Sequence, residues 1–268
     1  MIEIQLNDRV VKVQPEITIE QFQRLKHKED LYKSSPADLL SMLLSVPVNE
    51  LKDLPLNQME FVQSYLMSQM TETSLKDELH NVFTHNGVEY GLENDWSKLA
   101  WGAWMDMEVF SAENIEENIH LLMAILYRPI IEKKKGKYKI APYKADEIED
   151  RAYEFRQLPV KYWFGASSFF FSNRNNIYEQ YKEFFGVDEQ NQPEDNEGVG
   201  DTPKMGKKEA AFRYYFSITL NLAGEDITKI NQIDELPLLL CLNTSSIMKE
   251  RIEKQREEMK KMEKQYKK

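Results

Sequence analysis

The 268-residue chain has a single cysteine, Cys241, which excludes an intramolecular disulfide framework and a cysteine-based zinc site and suits a reducing compartment. Histidine is scarce as well. His27, His80, His85 and His120 show no ligand spacing and no neighbouring carboxylates of the zinc or di-iron kind. Ten glycines and ten prolines are too few for a fibrous protein. No apolar run approaches the roughly 20 residues that a membrane span requires, so no membrane insertion is expected. The start, Met1-Ile2-Glu3-Ile4, lacks the charged and apolar regions of a secretory signal. Neither G-x-x-x-x-G-K-[ST] nor a strand-borne G-x-G-x-x-G is present. Gly198-Val199-Gly200 falls in a polar stretch, and Gly165-Ala166-Ser167-Ser168 falls inside an expected helix without the second glycine of a nucleophile elbow. On these absences we expect no cofactor and no metal.

What is present supports a real core: 41% hydrophobic and 11% aromatic residues beside 30% charged ones. The formal charge of −10 argues against a general nucleic-acid binder.

Local patterns place the elements. Ile2 to Leu6 and Val10 to Val13 alternate around a polar turn at Asn7-Asp8-Arg9, which predicts a β-hairpin. Thr18 with Gln21 forms a capping-box pattern for a short helix that turns Phe22 and Leu25 inward. Ser35-Pro36 starts a helix with the apolar stripe Leu39, Leu40, Leu43 and Leu44, and another helix follows Pro55, carrying Phe61, Tyr65 and Leu66. Asn86-Gly87 predicts a type I′ hairpin turn, and Gly136 a second hairpin over 130–140 with an exposed lysine cluster at Lys133 to Lys135. Between them, Ser111 is expected to cap a helix with Ile115, Ile119, Leu122 and Leu126 on one face, closing at Pro129. Residues 146–158, 160–185 and 208–223 read as helices, the last with Gly224 past its end. The polar segment 186–207 reads as a flexible linker or loop.

Two segments 182 positions apart echo each other: Val48-Asn49-Glu50-Leu51-Lys52-Asp53-Leu54-Pro55-Leu56 and Ile230-Asn231-Gln232-Ile233-Asp234-Glu235-Leu236-Pro237-Leu238. Each describes a short helical turn, buried on one face, that stops before a proline opening the next helix. Chance recurrence and two related helical modules both account for such a match.

Chemistry-bearing residues are few. Asp95, Asp106 and Glu108 form the nearest approach to an acid cluster, which in a common cleft would suit glycoside hydrolysis; as residues flanking core aromatics they read better as turn and helix-start groups. Trp101 and Trp104 read as structural, and Cys241, within Leu238 to Leu242, reads as a small buried apolar group. The aromatic helix 160–185 reads as core before protein interface, and as a base-stacking platform last, because its surroundings are not strongly basic.

The end of the chain differs in kind. Residues 251–268 carry a net +4, leaving −14 on residues 1–250. Met248, Ile252, Met259, Met262 and Tyr266 fall on heptad a and d positions, with Gln255 at the remaining one, and Glu–Lys pairs four apart support the helix. These five residues are the candidate protein-binding set. We therefore expect an α+β protein, mostly α-helical, with small antiparallel β-hairpins. Its domains would be a compact body over 1–185, the linker 186–207, a short helical region over 208–245, and a projecting amphipathic helix over 246–268.

Three blocks carry a resemblance. They are Ala37-Asp38-Leu39-Leu40 through Leu54-Pro55-Leu56; Asn86-Gly87-Val88-Glu89-Tyr90 with Trp96, Gly102 to Glu108 and Leu121 to Pro129; and Leu222 to Ile230 with Leu236-Pro237-Leu238. Together they resemble uncharacterised morphogenesis proteins of tailed bacteriophages that infect Bacteroidetes-type hosts, including crAss-like phages. The resemblance implies a non-enzymatic role in tail or virion assembly, with no catalytic residues to carry over. It implies a factor similar to a tail assembly chaperone or, alternatively, a ring or connector subunit of the virion. The partners implied are other phage structural proteins or further copies of the chain, in the host cytoplasm during assembly or in the particle.

Overall fold

A computed structural model of the chain describes residues 2–6, 9–13, 16–26, 35–68, 78–186 and 206–266. His27, the turn residues Asn7 and Asp8, and nearly all of the expected 186–207 linker lie outside the described residues. The fold is α+β and mostly helical, with a two-stranded hairpin, a four-stranded antiparallel sheet and a long C-terminal helix. The chain divides into two compact units. One comprises Met1–Leu92, Asn114–Pro142 and Asp146–Phe169; the other comprises Glu93–Glu113, Tyr143–Ala145 and Phe170–Lys268.

In the first unit, Ile2–Leu6 pairs antiparallel with Arg9–Val13 and buries Ile4, Leu6 and Val13. The capping box forms in both directions: the Gln21 amide donates to Thr18 Oγ1 at 3.2 Å, and the Thr18 amide donates to Gln21 Oε1 at 2.9 Å. The helix Ile19–Lys26 follows, with Phe22 and Leu25 buried. Ser35 and Asp38 close a second capping box at the start of Pro36–Leu44, and Ser45 ends that helix at φ 53°. The sheet runs Val82–His85, Val88–Leu92, Tyr127–Lys134, Lys137–Ile140. Its two tight turns have positive φ at both central residues, Asn86 (47°) with Gly87 (78°) and Lys135 (50°) with Gly136 (76°), as a type I′ turn requires. Phe155 and Tyr162 pack rings against Phe83, and Phe155 packs against Tyr90, on this sheet. At Gly165 an added Cβ would sit 2.3 Å from the Glu78 carbonyl oxygen, so this glycine serves close backbone packing.

Two expectations here are corrected. Ser111 caps nothing: it is the last residue of the helix Trp101–Ser111, and its hydroxyl donates to the Met107 carbonyl at 2.6 Å. The apolar run after it does not reach Pro129 as a helix. A 3₁₀ turn, Ile115–Asn118, leads into Ile119–Leu126, and Tyr127 onward is a strand in which Pro129 pairs with Tyr90. Pairing with Val88–Leu92 overrides the helical period, because a third strand on the sheet buries Tyr127 and Arg128.

In the second unit, Trp101–Ser111 is buried nearly all round, with Trp101, Trp104 and Met107 fully so. Lys207–Leu222 ends at Gly224 (φ 66°), as its sequence predicts. The Trp101 amide donates to the Leu236 carbonyl at 2.8 Å, and the Leu238 amide to the Leu99 carbonyl at 2.7 Å. These long-range bonds place residues 93–113 with the C-terminal part of the chain, a division that a continuous 1–185 body does not draw. Local periodicity carries no trace of such pairing. Nor is there a break at 246: one 29-residue helix runs from Leu238 to Tyr266.

Candidate functional site

The C-terminal helix changes character along its length. Leu238, Cys241, Leu242 and Ser245 are buried, which is the i, i+3, i+4, i+7 stripe of a packed helix. Two polar contacts then tie down the helix where burial fades. Tyr181 donates its hydroxyl to Asn243 Oδ1 at 2.9 Å, and Lys249 Nζ donates to the carbonyls of Glu183 and Phe184 at 2.7 and 3.0 Å. Lys249 thereby neutralises the carbonyl end of the short helix Lys182–Phe185. From Arg251 every described residue is exposed. Neither Lys249 nor Asn243 stands out in the sequence, where each is one more polar residue on an amphipathic helix.

Of the candidate binding residues, Met248 is half-buried at this junction. Ile252 is 46% exposed, Met259 57%, Met262 52% and Tyr266 90%. Heptad spacing aligns them on one face, so the helix presents an apolar seam to solvent. Burying such a side chain is worth about 1.5–3 kcal/mol, and association costs several kcal/mol of lost freedom. A seam of four supports reversible binding better than permanent assembly.

The sequence's acidic candidates do not share a task. Asp95 accepts from Lys98, and from the Ser97 hydroxyl and amide, in a turn, and these contacts, Lys98 foremost, lower its pKa. Glu108 is buried and held by a bidentate Arg174 (2.6 and 2.8 Å), by Tyr178 at 2.7 Å and by Tyr215 at 3.2 Å. Burial and the Glu108 charge raise both tyrosine pKa values, so the phenols stay protonated donors. Glu108 is thus a buried carboxylate whose two oxygens are occupied by Arg174, Tyr178 and Tyr215. Asp106 accepts from the Tyr143 hydroxyl, and desolvation raises its pKa.

Asp234 is the group that sequence reading missed. Desolvation, then the nearby Asp106 charge, pushes its pKa up to about 6, and its buried Oδ1 has no hydrogen-bond partner among the described residues. Burial, with the Asp234 charge, likewise pushes the Cys241 thiol up to about 12, and the thiol is buried. In the first unit, burial and then the Arg156 guanidinium lower the His120 pKa to about 4; its Nε2 lies 3.2 Å from Arg156 Nη2, which fixes it as an acceptor.

Among the described residues no three His, Cys, Asp or Glu side chains converge on a metal-sized site, and no helix is long and apolar enough to cross a membrane. A cleft of about 370 Å³ beside Lys249 is lined by charges of both signs, Lys182, Glu183, Lys249, Glu250 and Glu253 among them. That lining offers no single ligand charge a partner. No protein-family model, curated protein or solved structure matches the chain.

Proposed function

We propose that this chain is a morphogenesis factor of a tailed bacteriophage, acting in the host cytoplasm by binding other structural proteins of the tail or virion, in the manner of an assembly chaperone. The observation that carries the binding role is the exposed helical segment from Arg251 to Tyr266, whose apolar residues lie on one seam while the preceding turns are packed. Methionine suits this role because its unbranched thioether adapts to irregular partner surfaces. The phage assignment rests on the sequence blocks around Leu54-Pro55-Leu56, Gly102 to Glu108 and Leu236-Pro237-Leu238. No step in this role makes or breaks a covalent bond. Mass spectrometry of purified particles of the encoding phage tests it. Absence from the particle, with co-purification of tail or connector proteins from infected cells, is the expected result. Stoichiometric presence in symmetric multiples would instead make the chain a ring or connector subunit, and neither outcome would end the phage assignment.

A further inference from the structure

We propose that the exposed seam takes a second copy of this chain, as an antiparallel helix pair in one register. This rests on the reading of the C-terminal helix as a binding surface and names its first occupant. The charges that flank the seam set the direction and register of such a pair. With Ile252, Met259 and Tyr266 at a and Gln255 and Met262 at d, the flanking e positions are Lys249, Arg256 and Glu263, and the g positions are Arg251, Glu258 and Gln265. All of those beyond Lys249 are exposed and available to a partner.

In a parallel, in-register pair each g residue meets the e residue five positions on in the other helix. Arg251 then faces Arg256, and Glu258 faces Glu263, on both sides of the pair. Every charged contact formed within the exposed segment is repulsive, so the sequence opposes that arrangement. An antiparallel pair instead sets e against e and g against g. When Met259 of one copy packs on Met262 of the other, Gln255 packs on Tyr266, and Arg256 meets Glu263 twice, once on each half of the pair. On the other edge Glu258 meets Gln265, which is neutral. Sliding one helix by a heptad toward the chain body opposes Arg256 to Arg256 and Glu258 to Glu258, and the two Lys249–Glu263 pairs it would also form require Lys249 to leave the Glu183 and Phe184 carbonyls that it already holds. The charge pattern therefore selects one direction and one register. The overlap, Gln255 to Tyr266, is only about three turns, which makes the pair weak and concentration-dependent.

Sedimentation equilibrium of the full-length protein across a range of concentrations tests this with two exposed charge reversals, Arg256→Glu and Glu263→Arg. The wild type is expected to dimerise reversibly. Each variant alone should dimerise about tenfold more weakly, since two attractive contacts become repulsive. An equimolar mixture of the two variants should recover the wild-type dimer, because both contacts between unlike chains again join opposite charges, with their signs exchanged in one of the chains at each position. A parallel pair predicts the reverse for Arg256→Glu alone, which would strengthen association by relieving its clash with Arg251; that result overturns the proposal. A wild type that stays monomeric throughout also overturns it. Co-purification of other structural proteins by that monomer would leave the binding role standing, whereas loss of both would remove it.

Discussion

The corners at Val48 to Leu56 and Ile230 to Leu238 have the same backbone and different surroundings. In each, a helix of four or five residues ends one turn before proline, and the next helix opens just after it. The hydrogen bonds coincide position by position: Leu54 amide to Leu51 carbonyl and Leu236 amide to Ile233 carbonyl, then Gln58 and Met59 to Pro55 as Leu240 and Cys241 to Pro237. The first follows the helix Pro36–Leu44 past left-handed Ser45, whereas a 3₁₀ turn, Ile227–Lys229, separates the second from the helix Lys207–Leu222 and left-handed Gly224. What differs is the use. The first corner hides Leu51 and Leu54 and leaves Leu56 exposed, whereas the second buries Leu238 and is bonded to Leu99 and Trp101. A short apolar–proline pattern thus dictates a local shape, while long-range partners decide what the shape supports. Here the second corner starts the helix that carries the exposed seam.

Substitutions can separate the two parts of this comparison. Trp101→Ala removes a fully buried indole and its 2.7 Å bond to Thr219 Oγ1 beside the second corner. A loss of about 3–5 kcal/mol in denaturant unfolding is expected. Leu51→Ala should cost about 2–4 kcal/mol because Leu51 is fully buried, and its counterpart Ile233→Ala only about 1–2 because Ile233 is half-buried. Equal costs would mean that the two corners are packed alike.

The pair Lys52 and Asp234 falls near the centre of the echo and sharpens the contrast. The folded-state pKa of Asp234 is raised, so the folded protein holds that proton more tightly than the unfolded chain does. Its favourable contribution is complete below pH about 4 and is lost as pH rises through about 6. Asp234→Asn should therefore stabilise the protein at pH 7, by about 1–2 kcal/mol after allowing for partial solvent screening, and flatten its stability between pH 4 and 6. Exposed Lys52→Asn should stay within about 0.5 kcal/mol at any of these pH values. Pro55→Ala and Pro237→Ala should each cost about 0.4–1 kcal/mol, alike within error, since each proline preorganises the same helix start. Thermal melts across pH would reveal any departure.

Much of the architecture was legible because it is encoded within a turn or two of chain. The Thr18–Gln21 box, the Ser35-Pro36 helix start, the Asn86-Gly87 and Lys135-Gly136 turns, and the Gly224 stop each need only neighbouring residues. The misreading at Pro129 has a long-range cause: Tyr127 to Pro129 pairs with a strand some 37 residues earlier, and no local period records it. The same holds for Ala100 bridging Pro237. The misreading at Ser111 arises because it ends a helix, Trp101–Ser111, that is buried nearly all round and so shows no amphipathic period. At the candidate site the seam itself was readable from heptad spacing. Its anchoring by Lys249 and Tyr181, and the raised Asp234 carboxyl, were not, because each depends on which carbonyls and carboxylates tertiary packing brings near.

The exposed seam is proposed to bind polypeptides. The direct measurement is co-purification from infected cells of phage structural proteins with the full-length chain, compared with a Met259→Glu, Met262→Glu, Tyr266→Glu variant. All three side chains are exposed, so the melting temperature should be unchanged while the bound proteins are lost. Undiminished co-purification by a variant that folds normally would contradict the account.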